Sequence, residues 1–166
     1  MSKEKIIIYT DGAAKGNPGQ AGWGAVILFQ NDQPKVKSEK LKVVEIGGGT
    51  DHATNNQMEL TAPIEALKFT ARFNLAVGQK IEIVSDSKYV ILGITEWIYN
   101  WQKNNWRNAA KKPVLNKELW QELFALTEKL KPKWSYVEGH AGHEHNERAD
   151  EIATSFAEGE PVKLKK

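Results

Sequence analysis

Cysteine is absent from this 166-residue sequence, so neither disulfides nor thiolate metal centres can hold it together. At this length they are not needed, because one domain can bury roughly 68–70% of the surface of its unfolded chain. Without cysteine the sequence is silent on redox compartment. Long apolar runs are also missing. The longest, Ile6 to Tyr9 and Ala25 to Phe29, fall far short of the ~20 residues of a membrane span. Only four apolar residues separate Met-Ser-Lys-Glu-Lys from Thr10 and Asp11, too few for a signal-peptide core. A cytoplasmic protein without membrane contact is expected. Its 40% apolar and 27% charged residues, with 13 Gly and 6 Pro, exclude collagen-like, mucin-like and disordered chains.

Net charge is nearly absent as well, 23 − 21 = +2, but its distribution is uneven. From Trp97 to Lys117 there is no acidic residue and there are five basic ones, Lys103, Arg107, Lys111, Lys112 and Lys117, interleaved with Trp97, Trp101 and Trp106. Such a stretch reads as a cationic surface carrying large rings. Its alternative is an ordinary solvated face, with Trp97 and Trp101 packing one helix on another.

Local pattern predicts strands at Lys5–Thr10, ended by the turn dipeptide Asp11-Gly12, at Trp23–Phe29, and at Lys40–Ile46, ended by Gly47-Gly48-Gly49. Spacing turns helical over Gln57–Phe73. A fourth strand is predicted at Lys80–Ser85. Helices follow over Asp86–Leu92, interrupted at Gly93, over Thr95–Asn104 and over Lys117–Leu130. A short strand at Trp134–Glu138 and a helix over His145–Ala157 complete the order. The expected architecture is a mixed α/β domain over residues 1–157 with at least one parallel strand pair, and a flexible tail over 158–166.

Four carboxylates occupy strand or helix ends. Asp11 and Asp86 each follow a strand, so neighbouring strands would deliver both to one sheet edge. Glu59 and Asp150 fall in the early turns of helices. Singly, each has an ordinary explanation: Asp-Gly makes hairpin turns, Asp86 can share a helix cap with Ser85 or Ser87, and acidic groups complement helix N-termini.

The flanking residues change that balance. Tyr9-Thr10-Asp11-Gly12, Gly16-Asn17-Pro18-Gly19, Thr54-Asn55-Asn56-Gln57-Met58-Glu59-Leu60, Ser85-Asp86-Ser87-Lys88-Tyr89-Val90, Gly139-His140-Ala141-Gly142-His143 and Asn146-Glu147-Arg148-Ala149-Asp150 occur in that order. From about Lys5 to Ala157 the chain resembles bacterial type 1 ribonuclease H, and 93–114 resembles the basic protrusion of many bacterial members. The resemblance implies a ribonuclease H-like fold, a five-stranded mixed sheet flanked by helices. It implies an endoribonuclease that hydrolyses the RNA strand of RNA/DNA hybrids, leaving 5′-phosphate and 3′-hydroxyl ends. Asp11, Glu59, Asp86 and Asp150 would hold two Mg²⁺, with Mn²⁺ as substitute, Asp11 bridging the ions. His140 would assist proton transfer or product release. Asn17, Asn55, Asn56 and Lys88 would contact the hybrid, and Thr54 and Asn116 a phosphate of the DNA strand. Lys103, Arg107, Lys111 and Lys112 would touch backbone phosphate. The expected partner is an RNA/DNA hybrid and the expected state a monomer.

The chemistry suits these residue types. Phosphodiester cleavage needs an activated water, charge neutralisation and a stabilised leaving oxygen, which two divalent ions supply, and Mg²⁺ prefers oxygen donors. Four converging carboxylates repel one another, so at least one raised pKa is expected in the metal-free protein. Rival readings are a DNA nuclease, resolvase or integrase on the same fold, a non-catalytic hybrid-binding module, and a zinc cluster of His140, His143 and His145. The segments 35–49 and 72–79 look longer than in short bacterial relatives, and Pro63 is expected to kink the helix beside Glu59.

Overall fold

Alternation along the first strand builds the centre of the sheet. Ile6 and Ile8 are fully buried on one face, while Ile7 and Tyr9 pack on the other, as the period of two in a strand requires. The computed structural model describes residues 4–31, 41–73, 79–139 and 143–166. Strand β1 (Glu4–Lys15) pairs antiparallel with β2 (Gly19–Asn31), which pairs antiparallel with β3 (Leu41–Ala53). On its other side β1 runs parallel to β4 (Lys80–Ser85), which runs parallel to β5 (Lys133–Tyr136). The order β3-β2-β1-β4-β5 makes the expected five-stranded mixed sheet.

Helix α1 (Asn55–Ala71) connects the antiparallel and parallel halves. It lies on one face with α4 (Lys117–Leu130), where Leu60, Ile64, Leu67, Trp120 and Leu123 join Ile6, Ile8, Ile81 and Ile83 in the main core. Helix α5 (Glu144–Ala157) covers the other face, its Ala149 and Ile152 packing on Val26 and Leu28. Burying one such isoleucine contributes about 1.5–3 kcal/mol. None of the described helices is long and apolar enough to cross a membrane.

Several expected boundaries are corrected. Asp11-Gly12 is no turn: β1 continues to Lys15 and the turn lies at 16–18. Strand β3 runs through Gly47-Gly48-Gly49 to Ala53, because α5 lies tightly on the sheet there and a β-carbon on Gly47 would stand 2.6 Å from Ile152 Cγ2. Nor does Gly93 break the helical path. Helix α2 (Lys88–Leu92) passes through one π-helical turn, Gly93–Trp97, into α3 (Ile98–Lys103). A β-carbon on Gly93 would meet the Trp120 ring at 2.0 Å, so this glycine admits the indole. Helix α1 continues through Pro63 as a single element.

Residues 158–166 are not a loose tail, since buried polar groups hold them. Glu45, 4% exposed on β3, takes a two-pronged bond from Arg148 of α5 at 2.8 and 3.0 Å. The Lys165 N–H donates to Glu45 Oε1 at 2.9 Å, the Glu45 N–H to Lys165 O at 2.8 Å, and Arg148 Nη2 to Lys163 O at 2.9 Å. Val162 and Leu164 pack against the α5-side core.

Candidate active site

Parallel pairing of β1 with β4 puts Thr10 opposite Ser85, so the next residues, Asp11 within β1 and Asp86 just past β4, lie side by side where that pairing ends. The cap of α2 is Ser87 rather than Asp86. The Ser87 hydroxyl accepts from the Val90 N–H at 3.2 Å, and Ser85 Oγ accepts from the Ser87 N–H at 3.1 Å. Glu59 comes from α1, whose first turn holds no acidic residue, so it does not complement the helix dipole there. Its helix is fixed by a capping box: Thr54 Oγ1 accepts from the Gln57 N–H at 3.1 Å, and Gln57 Oε1 from the Thr54 N–H at 2.8 Å. Gly12 lets α1 come down onto β1.

One oxygen from each of Asp11, Glu59 and Asp86 lies within 4.8 Å of the others. Asp11 is 5% exposed, and its Oδ1 accepts the Gly12 N–H at 2.8 Å. Burial chiefly, with the negative charges of Asp86 and Asp150 adding to it, pushes the Asp11 carboxyl up to about 7. Enclosure, then the charges of Asp11 and Asp86, pushes Glu59 well above the usual carboxylate range. The raised carboxyls expected of converging negative groups are thus Asp11 and Glu59, whose neutral forms are favoured by burial and by the surrounding negative charge. Glu59 Oε2 is enclosed without a hydrogen-bond partner, a costly arrangement unless a proton or cation meets it. Asp150, half-buried on α5, stands outside this triad but near enough for its charge to act on Asp11.

Among the described residues no histidine joins a metal-ligating group. His145 packs its ring on Tyr9 at 5.4 Å, and His143 is exposed at the start of α5. His140 lies outside the described residues. Its neighbour Gly139 sits so that an added β-carbon would stand 3.1 Å from Asp86 Oδ2, which brings the chain leaving β5 up to the triad.

The polar residues divide into two sets. Asn17 Oδ1 accepts the Asn55 N–H at 3.0 Å, tying the β1–β2 turn to the start of α1. Beside that link Asn17, Thr54 and Asn56 face Asn116 across a cleft of about 470 Å³, with Tyr89 in its wall. Lys88 lies apart from this cleft, its ammonium 5.8 Å from the Tyr136 ring. Lys103, Arg107, Lys111 and Lys112 are exposed. Arg107 also has a structural task, donating from Nη1 to Lys111 O at 2.9 Å. A second hollow of about 370 Å³ lies between Trp97, Trp101, Asn104 and Arg107. Of the two tryptophans assigned to packing, Trp101 meets Trp120 edge-to-face at 5.2 Å, while Trp97 is 38% exposed against Tyr89. Sequence reasoning missed Gly12 and Tyr89 as parts of the site, although both lie inside motifs it singled out.

Comparison with known proteins agrees with this geometry. The RNase H family model matches residues 3–158. A ribonuclease H of Thermosynechococcus vestitus is 50% identical over 158 residues, covering 95% of this chain and 92% of that one. Among solved structures, LC9-RNase H1 superposes with a TM-score of 0.79 at 26% identity, covering 99% of this chain and 76% of that one. LC11-RNase H1 in complex with an RNA/DNA hybrid gives 0.66 at 26% identity, covering 93% and 98%.

Proposed function

This chain belongs to the ribonuclease H family, in its bacterial type 1 branch, and from that premise we propose that it hydrolyses the RNA strand of RNA/DNA hybrids with Mg²⁺, leaving 5′-phosphate and 3′-hydroxyl ends. The observation that carries the reading is the meeting of Asp11, Glu59 and Asp86 oxygens within 4.8 Å. The donor set fits a hard divalent cation: it is all oxygen, and the enclosed Glu59 Oε2 has no other partner. Asp11, Glu59 and Asp86 would hold the metal, and Asp150, whose charge reaches Asp11, would complete the set for a second ion. When bound, such a pair supplies Lewis acidity for the attacking water and the leaving 3′ oxygen, and neutralises the phosphate. Mn²⁺ is the natural substitute.

The chain's own residues bind and orient the substrate. Asn17, Asn55 and Asn56 present amides to the hybrid, where the 2′-hydroxyl distinguishes RNA from DNA. Thr54 and Asn116 flank the cleft that takes a phosphate of the DNA strand. Lys88 contacts the hybrid, and Lys103, Arg107, Lys111 and Lys112 bind backbone phosphate without reading sequence. His140 assists proton transfer or product release, a role that an imidazole side chain suits. The protein acts as a monomer in the cytoplasm.

The test is gel cleavage of labelled RNA/DNA hybrid, duplex DNA and duplex RNA in Mg²⁺, with wild type and Asp11→Asn. Cleavage of the hybrid's RNA strand alone, abolished in the variant, is expected. Cleavage of duplex DNA would transfer the chain to the resolvase-like activities of this fold.

A further inference from the structure

The wall of the cleft between the start of α1 and Asn116 carries the Tyr89 hydroxyl, whose role rests on the reading of that cleft as a phosphate site. Two donors converge on this oxygen: Asn116 Nδ2 at 3.2 Å and Trp120 Nε1 at 3.1 Å. The indole N–H can only donate, so Tyr89 must accept from it. With a second donor arriving from Asn116, the phenol can act toward a third group only by donating its own O–H. Its position is fixed, because the ring is held between Trp120 at 5.1 Å and Trp97 at 6.2 Å.

Asn116 is equally constrained. It has a left-handed backbone, φ 62° and ψ 32°, and precedes α4 without capping it through its side chain. The amide that would ordinarily bond to the first turn of its helix is turned to Tyr89 instead. The amide nitrogen is held there while the residue lines the cleft. Among the described residues no acidic side chain lines the cleft, so the groups offered by this wall are suited to an anionic oxygen.

We infer that Tyr89 is a positioning residue for substrate binding: it presets the Asn116 amide as a donor toward a phosphate oxygen of the DNA strand. The indole of Trp120 orients the phenol and the phenol orients the amide, which lowers the ordering cost of binding at Asn116.

A double-mutant cycle tests this with Tyr89→Phe, Asn116→Ala and their combination, reading KM and kcat for hybrid cleavage. Tyr89→Phe keeps the ring and removes the hydroxyl that accepts from Asn116 and Trp120. It should raise KM about three- to tenfold, the net worth of one hydrogen bond, with kcat within about twofold. In the Asn116→Ala background the same substitution should change KM less than about twofold. An equal KM increase in both backgrounds, or no increase in wild type, overturns the role of Tyr89 and leaves the phosphate cleft standing. Asn116→Ala with unaltered KM rejects the cleft itself. The side-chain amide resonance of Asn116, observed by NMR without substrate, is a second readout. It should move in Tyr89→Phe, and an unmoved resonance contradicts the inference even if the variant is less stable.

Discussion

Gly12 lies directly beneath the backbone of Glu59: a β-carbon on it would stand 2.5 Å from the Glu59 nitrogen. Strand β1 and helix α1 therefore touch main chain to main chain at the point where each delivers a carboxylate.

Gly12→Ala must push α1 away from β1. Overpacking of this kind costs about 1–3 kcal/mol, and a shift of 1 Å at a reacting centre can cost about a hundredfold in rate. Thermal unfolding should show a lowered Tm, and cleavage should fall by at least tenfold even at temperatures where the variant is folded. A Gly12→Ala protein with wild-type activity would show that this backbone approach does not set Glu59.

The raised carboxyls give the metal-free protein a particular pH dependence. Asp11 rises from 3.8 to about 7, so between roughly pH 4 and 7 the folded state binds more protons than the unfolded state. Its contribution to stability is complete below the unfolded value and is lost as pH rises through the folded one, by up to about 1.4 kcal/mol per pH unit for one proton. Urea unfolding in a chelator should give stability that declines from pH 5 to 8. Asp11→Asn should flatten the decline and be the more stable protein at pH 8. Glu45 has the opposite sign, since its bond from Arg148 holds it below the usual range. Its contribution is present above the unfolded carboxylate value and is lost as pH falls through the lowered one.

Arg148→Ala leaves Glu45, with a side chain 1% exposed, as a buried carboxylate without its guanidinium, held by the Lys165 N–H alone, and frees the tail from one of its anchors. Breaking such a pair costs about 3–5 kcal/mol. Urea unfolding at pH 7 should register a loss of this order, and Glu45→Gln a smaller one. Hydrogen exchange at Lys165, whose N–H is bonded to Glu45, should accelerate in both.

Replacing Lys103, Lys111 and Lys112 together by Gln should raise KM for hybrid about tenfold at moderate salt while kcat stays within about twofold. Cationic side chains on phosphates add affinity through counterion release, so the slope of log KM against log salt should flatten by up to ~0.9 for each phosphate left without its lysine. Arg107 is left in place because it also holds Lys111 O.

The parts of this site that were legible in the sequence are those set by local pattern. Two apolar runs each followed by an aspartate predicted that Asp11 and Asp86 come together, although β1 continues past Asp11 to Lys15, and helical spacing predicted α1 and α4. What escaped depends on partners far along the chain. Gly12 reads as a turn residue until Met58 and Glu59 are known to lie on it, Gly47 until Ile152 does, and Gly93 as a break until the Trp120 ring fills its place. The tail looks like a solvated charge run because the pairing of Glu45 with Arg148 spans 103 residues. Asp150 resembles its three companions by motif, yet its helix leaves it outside their 4.8 Å group.

The most direct test of the central claim is a Mg²⁺ titration of the substrate-free protein followed by carbon-detected NMR of its side-chain carboxyls at about pH 6.5, just under the raised Asp11 value. Asp11, Glu59 and Asp86 should move together, and the Asp11 and Glu59 resonances should pass from protonated to ionised positions as the cation displaces their proton. Three carboxyls that remain unchanged at saturating Mg²⁺, while other acidic groups respond, would contradict the account.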